Sequence, residues 1–167
     1  AQLGYRAHVY APEESGPAAD TCADWTQGAY DDAERLGSFA DAVDVVTYEF
    51  ENVDSGAIET LSGHGVVRPS VEALRIAQDR FQEKSYVAAL GGITAPFATV
   101  DSQADLEAAL QSIGTPSILK TSRFGYDGKG QVRLGTDCDP AEAWDAIGHA
   151  PSILEGFVTF DEEFSVI

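Results

Sequence analysis

The stretch from Ile118 to Leu134, ILKTSRFGYDGKGQVRL, limits the choice of structure more than any other part of the chain. Apolar residues towards its two ends favour extended backbone, and the Asp127-Gly128 pair between them is a strong signal for a tight turn. A hairpin follows: a strand at Ser117–Thr121, a glycine-rich turn, and a strand at Gln131–Leu134. Gly125, Gly128 and Gly130 permit positive φ and let main-chain N–H groups approach an anion closely. Lys120 and Lys129 add positive charge, and the only other lysine in the sequence is Lys84. A plain hairpin tip needs no flanking lysines, so phosphate binding accounts better for the pattern. The spacing is neither a Walker A loop, because Gly130 and not Ser or Thr follows Lys129, nor GxGxxG.

Charge narrows the partners. The chain has 28 acidic and 10 basic residues, a formal net charge of -18, which repels a polyphosphate backbone at long range and argues against nucleic acid. With 167 residues, 44% of them hydrophobic, it can fill one large or two small cores. No apolar run approaches the roughly 20 residues that cross a bilayer, and the N-terminal residues lack the pattern of a signal peptide, so the reading is cytoplasmic with no membrane partner. Cys22 and Cys138 are far apart, and His8, His64 and His149 lack i, i+4 spacing, so neither a metal site nor a disulfide framework is expected.

Periodicity divides the chain. Arg6–Tyr10, Val43–Phe50 and Gly65–Arg68 read as extended, and Asp31–Ala40 and Ser55–Leu61 as helical, which predicts a parallel sheet with packed helices. Ala11–Tyr30 reads as a long loop with room for a short strand. A helical region covers Val71–Leu90, with Ser70 as N-cap and Gly91-Gly92 as the stop, and a boundary falls near residue 92. Beyond it come helices at Asp101–Ile113 and Pro140–Ile147, the hairpin, and strands at Ser152–Gly156 and Glu163–Ile167, an α+β pattern. The chain opens on what reads as a helix tail and stops within a β-run, so it is expected to be a portion of a longer protein.

The string GYDGKGQ, after a strand ending in lysine, resembles the ATP loop of the ATP-grasp superfamily, and in particular its carboxyaminoimidazole ribonucleotide synthase branch. TYEFENV at Thr47–Val53, RPS at Arg68–Ser70, QDRFQEK at Gln78–Lys84 and LEGFVTFDEEFSVI at Leu154–Ile167 follow the same order and spacing. The resemblance implies residues 1–70 as a partial Rossmann-like pre-ATP-grasp domain, 71–92 as a helical connection, and 93–167 as an ATP-grasp module, incomplete at its C-terminus. The fold class is therefore α/β followed by α+β.

It also implies roles. ATP is held by Arg80, Lys120, the loop Gly125, Tyr126, Asp127, Gly128, Lys129, Gly130 and Gln131, the hinge Glu155, Gly156, Phe157 and Val158, and Glu163 on the ribose hydroxyls. Tyr126, Asp127 and Lys129 also face 5-aminoimidazole ribonucleotide and carry the catalytic roles, and Glu49 contacts that ribonucleotide. Glu49 and Glu51 share a face at a strand end, where open parallel sheets place ligands, although either could serve the following turn. Bicarbonate is the second substrate, Mg2+ ligands are expected outside this segment, and the branch implies a homodimer. The sequence departs from the branch in lacking the glycine turn of a first strand and in carrying Thr121-Ser122-Arg123-Phe124 where a second basic residue and a small residue are more usual. The competing readings are another ATP-grasp ligase and a module that binds ATP without turnover.

Overall fold

The computed structural model describes residues 4–125 and 129–162. The chain forms two compact units, Ala1–Arg75 and Ile76–Ile167.

In the first unit, β1 (His8–Ala11) pairs in parallel with β2 (Asp24–Gln27), and β3 (Val46–Thr47) in parallel with β4 (Val67–Arg68). The loop after β1 thus does hold one short strand. Parallel pairing requires crossovers, supplied for the second pair by α2 (Ser55–His64); α1 (Ala33–Asp41) precedes β3. Each helix starts on an aspartate: Asp32 accepts from the N–H of Arg35 and Asp54 from that of Ala57, satisfying a donor that would otherwise be orphaned. Leu36, Phe39, Ala40, Val46, Val53, Ala57, Ile58, Leu61, Val67 and Leu74 fill the core.

The helical region is two helices, not one. α3 (Val71–Gln78) ends before Asp79, whose extended backbone (φ -127°, ψ 116°) and side chain, accepting from Gln82 N–H, begin α4 (Arg80–Ala89). Competition for backbone donors by a short carboxylate breaks the run.

The second unit adds β5 (Phe97–Val100), α5 (Gln103–Ile113), β6 (Ser117–Thr121), β7 (Gln131–Leu134), α6 (Pro140–Ala146) and β8 (Ser152–Gly156). The sheet order is β5-β8-β6-β7, antiparallel throughout. The sequence reading missed β5; Pro96 just ahead of it argues against a strand, but β5 lies at the sheet edge, where proline is tolerated. One face of this sheet, with Val100, Leu119, Leu134 and Leu154, packs with Leu106, Ala109, Ala143 and Ile147 of the helical layer. The expected strand at Glu163–Ile167 lies outside the described residues.

Candidate nucleotide site

Strand alternation assigns the opposite face of that sheet. The register pairs Lys120 with Gln131 and Ile153, Ile118 with Arg133 and Glu155, and Glu155 with Phe97. Residues two apart share a face, so Phe97, Ile118, Lys120, Gln131, Arg133, Ile153 and Glu155 all project away from the helical core.

A cluster of charge forms there. Glu155 is buried at 7% exposure, and its Oε2 lies 3.0 Å from Lys120 Nζ and 3.3 Å from Lys84 Nζ on α4. Lys84 is also held against the ring of Phe97, 6.0 Å from its centroid, while Phe81 meets that ring edge-on at 5.7 Å. A buried carboxylate requires compensation, and two ammonium groups provide it. The cluster carries two positive charges against one negative, so it attracts anions locally in a strongly acidic chain.

Arg80 organises the glycine turn. As the first residue of α4 its own N–H donates to Ser122 O at 3.0 Å, and its guanidinium donates to Thr121 O at 2.8 Å and Gly125 O at 2.9 Å. A cation is poorly placed at a helix N-terminus; the loop carbonyls offset that. A Cβ on Gly125 would lie 3.1 Å from both Arg80 Nη2 and Lys129 O. Gly130, at φ +66°, accepts from Thr121 N–H through its carbonyl at 2.8 Å and closes the hairpin; a Cβ there would stand 2.7 Å from Thr121 Oγ1. Arg123 donates to Gln78 Oε1 at 2.9 Å and lies over the Phe124 ring, whose residue takes a left-handed φ of 62°.

The segment after β8 continues from this face. Gly156 and Phe157 donate their N–H groups to Pro96 O and Pro116 O at 2.8 and 3.0 Å, and Arg133 stacks on the Phe157 ring at 4.2 Å. Val158 is exposed.

The structure therefore brings together Arg80, Lys120, Gly125, Lys129, Gly130, Gln131 and Glu155, with Gly156, Phe157 and Val158 adjoining. Tyr126, Asp127, Gly128 and Glu163 lie outside the described residues. Glu49 belongs to the first unit, exposed just past β3 on the wall of a cavity of about 1090 Å³. Lys84 was not among the predicted site residues. The signal in the sequence that went unused is its i, i+4 spacing from Arg80, which puts both cations on one helix face. Among the described residues no group of three or more His, Cys, Asp or Glu side chains is arranged to hold a metal, and no helix is long and apolar enough to cross a membrane.

Comparison with known families agrees with this architecture. The Ribonucleotide synthetase preATP-grasp domain matches residues 1–78 and the ATP-grasp domain matches residues 85–167. The hairpin, Lys120 and Glu155 thus lie within an ATP-grasp domain that follows a preATP-grasp domain, and Lys84 stands one residue ahead of the ATP-grasp match. N5-carboxyaminoimidazole ribonucleotide synthase of Brucella melitensis is 46% identical over 169 residues, covering 100% of this chain and 47% of that protein. The chain belongs to the N5-carboxyaminoimidazole ribonucleotide synthase family of ATP-grasp proteins. The crystal structure of an ADP complex of N5-carboxyaminoimidazole ribonucleotide synthetase matches with a TM-score of 0.88 at 36% identity, over 96% of this chain and 42% of that one. The Staphylococcus aureus synthetase complexed with ADP matches with a TM-score of 0.85 at 31% identity, over 94% of this chain and 42% of that one. The chain spans a little under half the length of these relatives.

Proposed function

We propose that this chain supplies the nucleotide cleft of an ATP-dependent ligase that carboxylates 5-aminoimidazole ribonucleotide with bicarbonate in purine biosynthesis. The observation that carries the reading is the Lys120–Glu155 contact at 3.0 Å beside the glycine hairpin, in a chain 46% identical along its length to a synthase of that name.

In this reaction a bicarbonate oxygen takes the γ-phosphoryl group of ATP, giving carboxyphosphate and ADP. The exocyclic amine of the ribonucleotide attacks the carboxyl carbon, the bond to the phosphate oxygen breaks, and the nitrogen loses a proton, leaving the carbamate and inorganic phosphate. The protein contributes position and electrostatics more than covalent chemistry.

Within the proposal, residues 93–167, reached through the helical connection at 71–92, form the nucleotide module. Lys120 meets the phosphates, and Arg80 acts by shaping the turn that carries Gly125, Gly128, Gly130 and Gln131. Because the N–H groups of Gly156 and Phe157 are engaged by proline carbonyls, the donor that reads the adenine edge comes from Val158, and Glu163 receives the ribose hydroxyls. Asp127 orients the amine, Lys129 stabilises oxyanions, Tyr126 lines the same turn, and Glu49 of the residues 1–70 contacts the ribonucleotide. Mg2+ would neutralise phosphate charge during transfer, held by side chains beyond those described. A cytoplasmic homodimer completes the proposal.

The test is ADP release by the full-length protein, with 5-aminoimidazole ribonucleotide and bicarbonate each supplied or omitted. Release that requires both supports the reading. ADP binding without turnover identifies a non-catalytic nucleotide module, and release with a different acceptor identifies another ATP-grasp ligase.

A further inference from the structure

Glu155 presents an electrostatic problem. A lone Lys120–Glu155 pair would be neutral, and the lysine would have little charge left for an anionic ligand. Lys84 changes that balance: its Nζ lies 3.3 Å from the same carboxylate oxygen that Lys120 approaches at 3.0 Å, so the three groups together carry one net positive charge. All three side chains are largely shielded, at 20%, 25% and 9% exposure for Lys84, Lys120 and Glu155, so solvent screens their interaction only partly. Lys84 comes from a different element, α4, and its position is fixed independently by the Phe97 ring and by helix packing through Phe81.

We infer that Lys84 is a positioning residue, the counter-ion of Glu155 that leaves Lys120 with charge for a nucleotide phosphate. The inference rests on the nucleotide reading above and deepens it. Lys84 need not touch the nucleotide. It neutralises the buried carboxylate, so that the Lys120 ammonium is oriented by Glu155 without being cancelled by it.

This mechanism makes a prediction that a merely structural lysine does not. In Lys84→Met, Glu155 and Lys120 become a neutral pair, and ADP binding to the full-length protein should weaken about tenfold, the scale of one charge-assisted contact. Lys84→Arg keeps the charge and should recover most of that loss. Adding Glu155→Gln to Lys84→Met removes the carboxylate that cancels Lys120, so the double variant should bind ADP more tightly than Lys84→Met alone, although it carries more changes. Calorimetric titration with ADP, after circular dichroism has verified folding, reads all three. Lys84→Met with wild-type affinity, or a double variant no better than Lys84→Met, overturns the inference and leaves the nucleotide reading intact. Wild-type protein that takes up no ADP overturns both.

Discussion

Lys120 and Glu155 stand diagonally across neighbouring antiparallel strands: Lys120 pairs with Ile153, Glu155 pairs with Ile118, and Lys120 Nζ lies 3.0 Å from Glu155 Oε2. The alternation that buries Leu119 and Leu154 on one face delivers this pair to the other. Core packing therefore sets the position of the charged groups, and the hairpin that follows β6 is fixed to the same strand.

The first prediction concerns Lys120. In Lys120→Ala, Glu155 keeps Lys84 as its partner, so the variant is not left with an uncompensated buried carboxylate and should fold. Removing a charge-assisted phosphate contact should nonetheless weaken ADP binding by about tenfold to a hundredfold. Calorimetric titration beside a thermal melt separates the two effects. Equal ADP affinity in the variant and the wild type removes Lys120 from the site.

Arg80 leads to the second. Its guanidinium serves two carbonyls, Thr121 O and Gly125 O, in a fork that an ammonium cannot reproduce. Arg80→Lys should therefore behave as a loss, with a destabilisation of about 1–3 kcal/mol from acceptors left without partners. Hydrogen exchange should quicken at Thr121 and Ser122, and ADP affinity should fall with it. Unchanged exchange in this turn would mean that the loop holds its shape without the arginine.

Gly130 gives the third, with a built-in control. At φ +66°, with Thr121 Oγ1 only 2.7 Å from where a Cβ would stand, Gly130→Ala combines backbone strain with a clash. The backbone part alone costs roughly 1–2 kcal/mol. Gly135 has nothing within 4 Å of the corresponding position, so Gly135→Ala should be close to neutral. Chemical denaturation of the two variants compares them directly, and equal midpoints would show that the hairpin adapts.

Much of this was legible in the sequence, because it depended on local pattern. Ser117–Thr121, Gln131–Leu134 and Ser152–Gly156 are strands with the bounds that alternation and turn residues indicate. Asp79 was harder to read: Val71–Leu90 is helix-favouring throughout, and only a side chain competing for Gln82 N–H divides it. β5 was hidden by Pro96 and by its dependence on β8, a partner more than 50 residues away in sequence whose register no local pattern reveals. The role of Arg80 in the turn and the contact of Lys84 with Glu155 are tertiary facts of the same kind. The family resemblance assigned Arg80 to holding ATP, but the three loop oxygens it and its N–H engage appear only in the fold.

The final prediction separates binding from chemistry. The proposal gives the hairpin two tasks: Lys120 at its base meets the nucleotide, and Asp127 in its turn holds the amine that attacks. A carboxylate set among phosphates repels them, so the proposal gives Asp127 to the acceptor; its other task, shaping the Asp-Gly turn, is what the test separates. Asp127→Ala should then lower kcat/KM for 5-aminoimidazole ribonucleotide about a hundredfold, the scale of a misplaced reactant. ADP affinity should change far less. If both fall together, Asp127 supports the shape of the turn; if turnover is unaffected, the amine is oriented by another group and the acceptor half of the proposal must be redrawn.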